Sequence, residues 1–69
     1  MTQDEYKKII SNAINEEAGA FAYYSAVSEK AKDPAIKRLF EDLAAEEDKH
    51  KRTLEGYFKR EPARMHFSE

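Results

Sequence analysis

Glu47 and His50 form a Glu-x-x-His motif, and Glu17 lies 30 residues before Glu47. Carboxylate oxygens and an imidazole nitrogen are ligands for divalent transition-metal ions, and residues three apart on a helix share one face. Glutamate is common in this chain, so the motif alone is weak evidence for a metal site. Whether these three residues form a site depends on the direction in which the helices point their side chains and on their positions along the helix axes.

The first predicted helix begins at a capping box. Thr2 and Glu5 are spaced so that each side chain meets a free backbone N–H group of the first turn. Gly19 is the only helix-breaking residue before the next turn signal. We therefore predict helix 1 over residues 3 to about 32.

A second helix is predicted after a turn of a few residues. Asp33 is a favoured N-cap and Pro34 suits the first helical position. Pro62 disfavours helical geometry at the residue before it, so helix 2 should run from residue 34 to about 60. Residues 1–61 then form one antiparallel hairpin, and residues 62–69 a tail or the start of a linker.

Each predicted helix carries one apolar stripe, with residues recurring at spacings of three and four. In helix 1 these are Tyr6, Ile10, Ala13, Ala20, Phe21, Tyr24, Val27 and Ala31. In helix 2 they are Ile36, Leu39, Phe40, Leu43, Leu54, Tyr57 and Phe58. The outer faces carry opposite charges four residues apart, such as Lys37 with Glu41 and Arg38 with Asp42. Two amphipathic helices cannot enclose a core, so we expect a homodimer that forms a four-helix bundle.

The three candidate ligands point into this core. With about 100° of rotation per residue, Glu17 lies roughly 10° from the centre of its stripe, and Glu47 and His50 lie within about 30° of theirs. Glu17 precedes Asp33 by 16 residues, whereas Glu47 and His50 follow it by 14 and 17. At ~1.5 Å per residue all three side chains reach one layer, about 21 to 25 Å from the turn.

A dimer would bring four Glu and two His side chains together in that layer. Burying unpaired carboxylates is costly, and no Lys or Arg falls on either stripe to neutralise them. Two divalent ions about 3.5–4 Å apart would do so, held by bridging and terminal Glu and one His each. The oxygen-rich set without sulfur favours iron or manganese, although zinc or cobalt would fit in vitro.

Composition excludes several other classes. The 69 residues allow one small domain, and the absence of cysteine removes disulfides, thiolate zinc sites and cysteine nucleophiles. Twelve basic and 14 acidic residues are interspersed, which argues against a nucleic-acid surface or a polybasic membrane anchor. No apolar run matches a signal peptide or a membrane span, so we expect a soluble, cytoplasmic protein.

The region from about residue 15 to 57 resembles the rubrerythrin-type members of the ferritin-like di-iron superfamily and, in its brevity, the two-helix encapsulated ferritins. The features that carry this resemblance are Glu17-x6-Tyr24, the Asp33-Pro34 turn and Glu47-x-x-His50. The resemblance implies that Glu17, Glu47 and His50 are iron ligands. It also implies that Tyr24 hydrogen-bonds a ligand carboxylate, and that Fe(II) is oxidised with dioxygen or hydrogen peroxide.

The chain departs from many relatives in two ways. It contains one helix pair instead of two, which fits a dimer, a higher oligomer or part of a longer protein. It has no cysteine-ligated rubredoxin module, so a peroxidase of this type would need an external electron donor.

Two other functions remain open. In one, the hairpin is a non-catalytic interaction module whose buried polar layer sets the register of pairing. In the other, the metal is structural or stored and no turnover takes place.

Overall fold

The computed structural model describes residues 1–59, which form two antiparallel α-helices joined by a short turn. Helix α1 spans Gln3–Lys30 and helix α2 spans Pro34–Lys59. The predicted all-α hairpin is confirmed, whereas the predicted tail and the last predicted residue of the second helix lie outside the described residues. Neither of the two helices has a stretch that is both long and apolar enough to cross a membrane.

The capping box starts helix α1 as predicted. The backbone N–H of Glu5 donates to the Thr2 hydroxyl at 3.1 Å, and the backbone N–H of Thr2 donates to Glu5 Oε1 at 2.8 Å. These two bonds satisfy N–H groups that have no partner inside the helix. The Thr2 backbone N–H, followed by the Thr2 side chain, lowers the pKa of the Glu5 carboxyl from its ordinary value of 4.5.

The turn reverses the chain within residues 31–33. Ala31 is extended, with ψ at 131°, so helix α1 ends two residues before the predicted end near residue 32. A reversal of chain direction needs a few non-helical residues, and residues 31–33 are non-helical. Asp33 Oδ1 accepts a hydrogen bond from the Ala35 N–H at 2.8 Å and caps helix α2. The Lys37 ammonium donates to the Ser28 carbonyl oxygen at 3.0 Å and joins the two helix ends.

The contact between the helices is narrow. Among residues 1–59 only Tyr6, Ser28 and Ala44 are buried. The buried Ser28 hydroxyl is satisfied within its own helix, since it donates to the Ser25 carbonyl at 2.8 Å. Aromatic rings also meet across the interface, where the Tyr24 and Phe40 ring centroids lie 5.9 Å apart.

Part of the predicted apolar stripe is left uncovered by the single hairpin. Phe21, Ile36, Leu39 and Tyr57 are 38%, 44%, 49% and 38% exposed. The cause is geometric, because each helix has only one neighbour and its stripe is wider than one helix contact. The expected dimer would cover these side chains, and it stays a prediction.

Candidate metal centre

The middle of the hairpin brings the three predicted ligands together. Glu17 comes from helix α1, and Glu47 and His50 come from helix α2. One ligand atom from each of the three side chains lies within 4.8 Å of the other two. The small, buried Ala44 lies about one turn before Glu47 on helix α2.

The imidazole of His50 faces both carboxylates with the same nitrogen. Its Nδ1 atom lies 3.2 Å from Glu47 Oε1 and 3.6 Å from Glu17 Oε2. The first distance is that of a hydrogen bond and the second is longer. A cation placed among these three atoms would meet two oxygens and one nitrogen.

Glu17 contributes the most informative atom of the site. Its Oε2 atom is buried and accepts no hydrogen bond from the described residues. A buried acceptor without a partner costs about 1–3 kcal/mol, so such atoms are rare in folded proteins. Within residues 1–59 the ion-pair contacts of Glu17 and Glu47 are to His50 alone. A divalent cation would satisfy the orphaned oxygen and balance the two carboxylates, so these residues fit a metal ion.

The three side chains differ in exposure. The Glu17 and Glu47 side chains are 25% and 21% exposed, whereas the His50 side chain is 54% exposed. The carboxylates thus lie between the helices, and the imidazole lies at the edge of the contact. One hairpin leaves this side of the site open to water.

Tyr24 is half-buried beside the same interface. Its ring contacts those of Tyr23, at 5.8 Å between centroids, and Phe40. In the described part of the chain its hydroxyl makes no hydrogen bond to Glu17 or Glu47. Hydrogen bonding of a ligand carboxylate by Tyr24 therefore stays a prediction.

Glu46 is a residue whose contact the sequence analysis missed. Its side chain is 62% exposed, yet its Oε2 atom lies 3.7 Å from His50 Nε2. The signal was present in the sequence, because residues 46 and 50 are four apart and therefore neighbours on one helical face. Both nitrogens of the His50 ring thus face carboxylates.

Comparison with known protein families identifies relatives of the chain. The sequence model of the rubrerythrin family matches residues 8–66, which covers most of the chain and all three residues of the candidate centre. No curated protein and no solved structure matches the chain. On the extent of the family match, the chain belongs to the rubrerythrin family.

Proposed function

We propose that two copies of this chain bind a pair of iron ions between them and oxidise Fe(II) with dioxygen or hydrogen peroxide. The observation that carries the proposal is the convergence of Glu17, Glu47 and His50 around a buried carboxylate oxygen that lacks a hydrogen bond. Membership of the rubrerythrin family supports iron as the metal. An oxygen-rich donor set with imidazole also suits manganese, and zinc would serve as an inert substitute.

The side chains of this chain have distinct tasks in the proposal. Glu17 and Glu47 supply negative charge between the helices, where a divalent cation is favoured over water. His50 supplies a neutral nitrogen donor at Nδ1, the atom that faces both carboxylates. When bound, two Fe(II) ions would supply one electron each, and these two electrons with two protons would reduce hydrogen peroxide to two water molecules.

The second copy is supported by the pattern of exposure. Leu39 and Tyr57 lie eleven residues before and seven residues after His50. Each is therefore within about 20° of His50 on the helical wheel. All three are exposed in the single hairpin. A chain that covers the two apolar side chains would also cover the imidazole, add its own three ligands and close the site.

Repeated turnover would need a further component. After one round of oxidation the iron must be reduced again, and the chain has no cysteine to hold a second iron centre. An external electron donor is therefore part of the peroxidase form of the proposal. A ferroxidase that releases Fe(III) would not need one. The cytoplasmic location stays a prediction.

The test combines composition with assembly. Protein purified without chelators is measured by elemental analysis and native mass, and two metal ions per pair of chains are expected. Metal-free protein given two Fe(II) ions per dimer in air should then develop the near-ultraviolet absorption of oxidised iron. Glu47→Ala and His50→Ala should abolish it, whereas Glu41→Ala, which removes an exposed carboxylate of the same helix, should not. Unchanged absorption in both site variants would rule out the assignment.

The other functions give different results in the same measurements. An interaction module would carry no metal and show no change in melting temperature on addition of a chelator. A structural or storage site would bind metal but fail to consume hydrogen peroxide in the steady state with a supplied reductant. The orphaned Glu17 oxygen favours a metal-binding function over the module.

A further inference from the structure

The carboxylate of Glu46 lies beside the His50 nitrogen that faces away from the proposed metal. Nδ1 is directed at Glu17 and Glu47, whereas Nε2 lies 3.7 Å from Glu46 Oε2. Within residues 1–59 this is the one ion-pair contact of Glu46. The two nitrogens of one ring are thus presented to different carboxylates, which would give them different tasks.

From this arrangement we infer that Glu46 is a positioning residue, which accepts a hydrogen bond from His50 Nε2–H and thereby holds Nδ1 toward the metal. The inference rests on the proposed metal site. An imidazole that binds a metal through one nitrogen carries its proton on the other. In metal sites that second nitrogen usually donates to a carboxylate, a carbonyl or water, and the contact fixes the tautomer and the orientation of the ring.

The distance and the exposure are compatible with this role. The contact of 3.7 Å is a few tenths of an ångström longer than a hydrogen bond. Both residues lie on helix α2 four positions apart, so their backbones hold the two side chains next to each other. The Glu46 side chain is 62% exposed and can close the gap by side-chain rotation alone, without movement of either helix.

Glu47 cannot take over this task, although it is the neighbouring residue. Its Oε1 atom lies 3.2 Å from Nδ1, on the side of the ring that would bind the metal. Without a metal this carboxylate can accept a hydrogen bond from Nδ1–H, and with a metal it would be a ligand beside Nδ1. In neither state does it restrain Nε2. The two consecutive glutamates thus act on opposite sides of one imidazole.

Metal affinity tests the inference with Zn(II) as a probe that does not react with oxygen. Loss of a carboxylate that orients a metal ligand weakens binding about 10–100-fold, and we expect a loss in that range for Glu46→Ala. Glu46→Gln keeps an acceptor oxygen without the charge and should fall between Glu46→Ala and the wild type. Glu41→Ala removes an equally charged, exposed side chain of the same helix and should bind as the wild type does.

A nitrogen spectrum distinguishes positioning from general stability. The chain has two histidines, so ¹⁵N-histidine labelling gives two ring patterns, and His50→Ala assigns them. In the Zn(II)-loaded wild type we expect Nδ1 to be coordinated and Nε2 to carry a proton that exchanges slowly with water. In Glu46→Ala this proton should exchange faster while the folded fraction is unchanged.

Each result has a defined meaning. Coordination through Nε2, or Zn(II) affinity of Glu46→Ala within about threefold of the Glu41→Ala control, overturns the inference and leaves the proposed function intact. Absence of Zn(II) binding by the wild type overturns both. A loss that is restored in part by Glu46→Gln and accompanied by faster exchange supports the inference.

Discussion

The turn and the ligand layer belong to the same helix pair but differ in how far one chain satisfies their polar groups. At the turn, Asp33 caps helix α2 and the Lys37 ammonium binds the Ser28 carbonyl. In the ligand layer, Glu17 Oε2 is buried without a hydrogen bond, and the His50 side chain is 54% exposed. The turn is thus complete in a single chain, and the ligand layer is not.

The turn therefore contributes to the stability of the hairpin, whereas the ligand layer carries the proposed function. Unsatisfied buried groups are normally removed because they destabilise a fold, and they are tolerated where a ligand or a metal supplies the missing partner. At the turn, Asp33 Oδ1 and the Lys37 ammonium both find partners within the chain, so no added group is needed there. The layer around Glu17 keeps a buried acceptor without a hydrogen bond, and the proposed cation would supply its missing partner.

Replacement of Glu17 should change the free energy of unfolding more than a replacement at the turn or at the capping box. In metal-free protein Glu17→Met removes the orphaned oxygen and should raise the free energy of unfolding by about 1 kcal/mol, the lower end of the range because the side chain is 25% exposed. Metal at 100 times its dissociation constant should raise the free energy of unfolding of the wild type by about 2.7 kcal/mol and leave that of the variant unchanged.

Urea unfolding at one fixed protein concentration, with and without Zn(II), measures both effects. Glu16→Met is the matched control, since it changes the neighbouring exposed glutamate. It should leave the increment from metal unchanged. A full metal increment in Glu17→Met would show that the buried carboxylate is no ligand.

A change at the turn should have a smaller effect and leave metal binding alone. Asp33→Ala removes the acceptor of the Ala35 N–H and should cost about 1 kcal/mol, as lost N-caps do. The loss should be equal with and without metal, because the turn is satisfied independently of the ligand layer. Asp33→Asn keeps an acceptor oxygen and should recover most of the stability. A reduced metal increment in Asp33→Ala, measured by the same unfolding curves, would contradict the separation of the two regions.

The smallest effect is expected at the capping box, which is also complete within one chain. The hydrogen bonds from Thr2 lower the pKa of Glu5, so the ionised carboxylate stabilises the fold above the ordinary pKa of 4.5. This contribution is lost as the pH falls below 4.5 through the lowered pKa of the folded chain. The melting temperature of the wild type should therefore exceed that of Glu5→Gln at neutral pH, and the difference should shrink below pH 4.5.

Glu41→Gln controls for the loss of one exposed charge in that experiment. It lies on helix α2 away from any cap and should not reproduce the pH dependence. A difference between wild type and Glu5→Gln that grew in acid would contradict the lowered pKa.

Sequence reasoning predicted the starts of the two helices best, because capping signals act over a few residues. The Thr2 and Glu5 pair and the Asp33 cap make the expected bonds with their own neighbours. Charge pairs were less predictable. Arg38 and Asp42 lie 3.2 Å apart as their spacing suggested, but the Lys37 ammonium crosses to the Ser28 carbonyl. The long, flexible lysine side chain can reach several acceptors. An acceptor on the other helix cannot be predicted from the residues next to Lys37 in the sequence.

Sequence reasoning also predicted which residues share the ligand layer, but not how their atoms face one another. Helical rotation and rise place Glu17, Glu47 and His50 at one height, and the structure brings their ligand atoms within 4.8 Å. The exposed fraction of His50 and the contact of Glu46 with Nε2 depend on side-chain rotation and on the width of the helix contact. Spacing makes Glu46 and His50 neighbours on one helical face, but it does not determine which ring nitrogen faces Glu46 or how exposed His50 is.

The sequence by itself determined the two helices, their antiparallel pairing and the height of three candidate ligands, because caps, periodicity and rise per residue are local properties of the chain. Only the tertiary structure decided that one carboxylate oxygen of Glu17 is buried without a partner and that each nitrogen of His50 faces a different carboxylate. The physical reason is that these features depend on side-chain rotation and, for Glu17, on the packing of the two helices, neither of which follows from spacing along the chain. Differences of a few tenths of an ångström there separate a hydrogen bond from an unsatisfied atom.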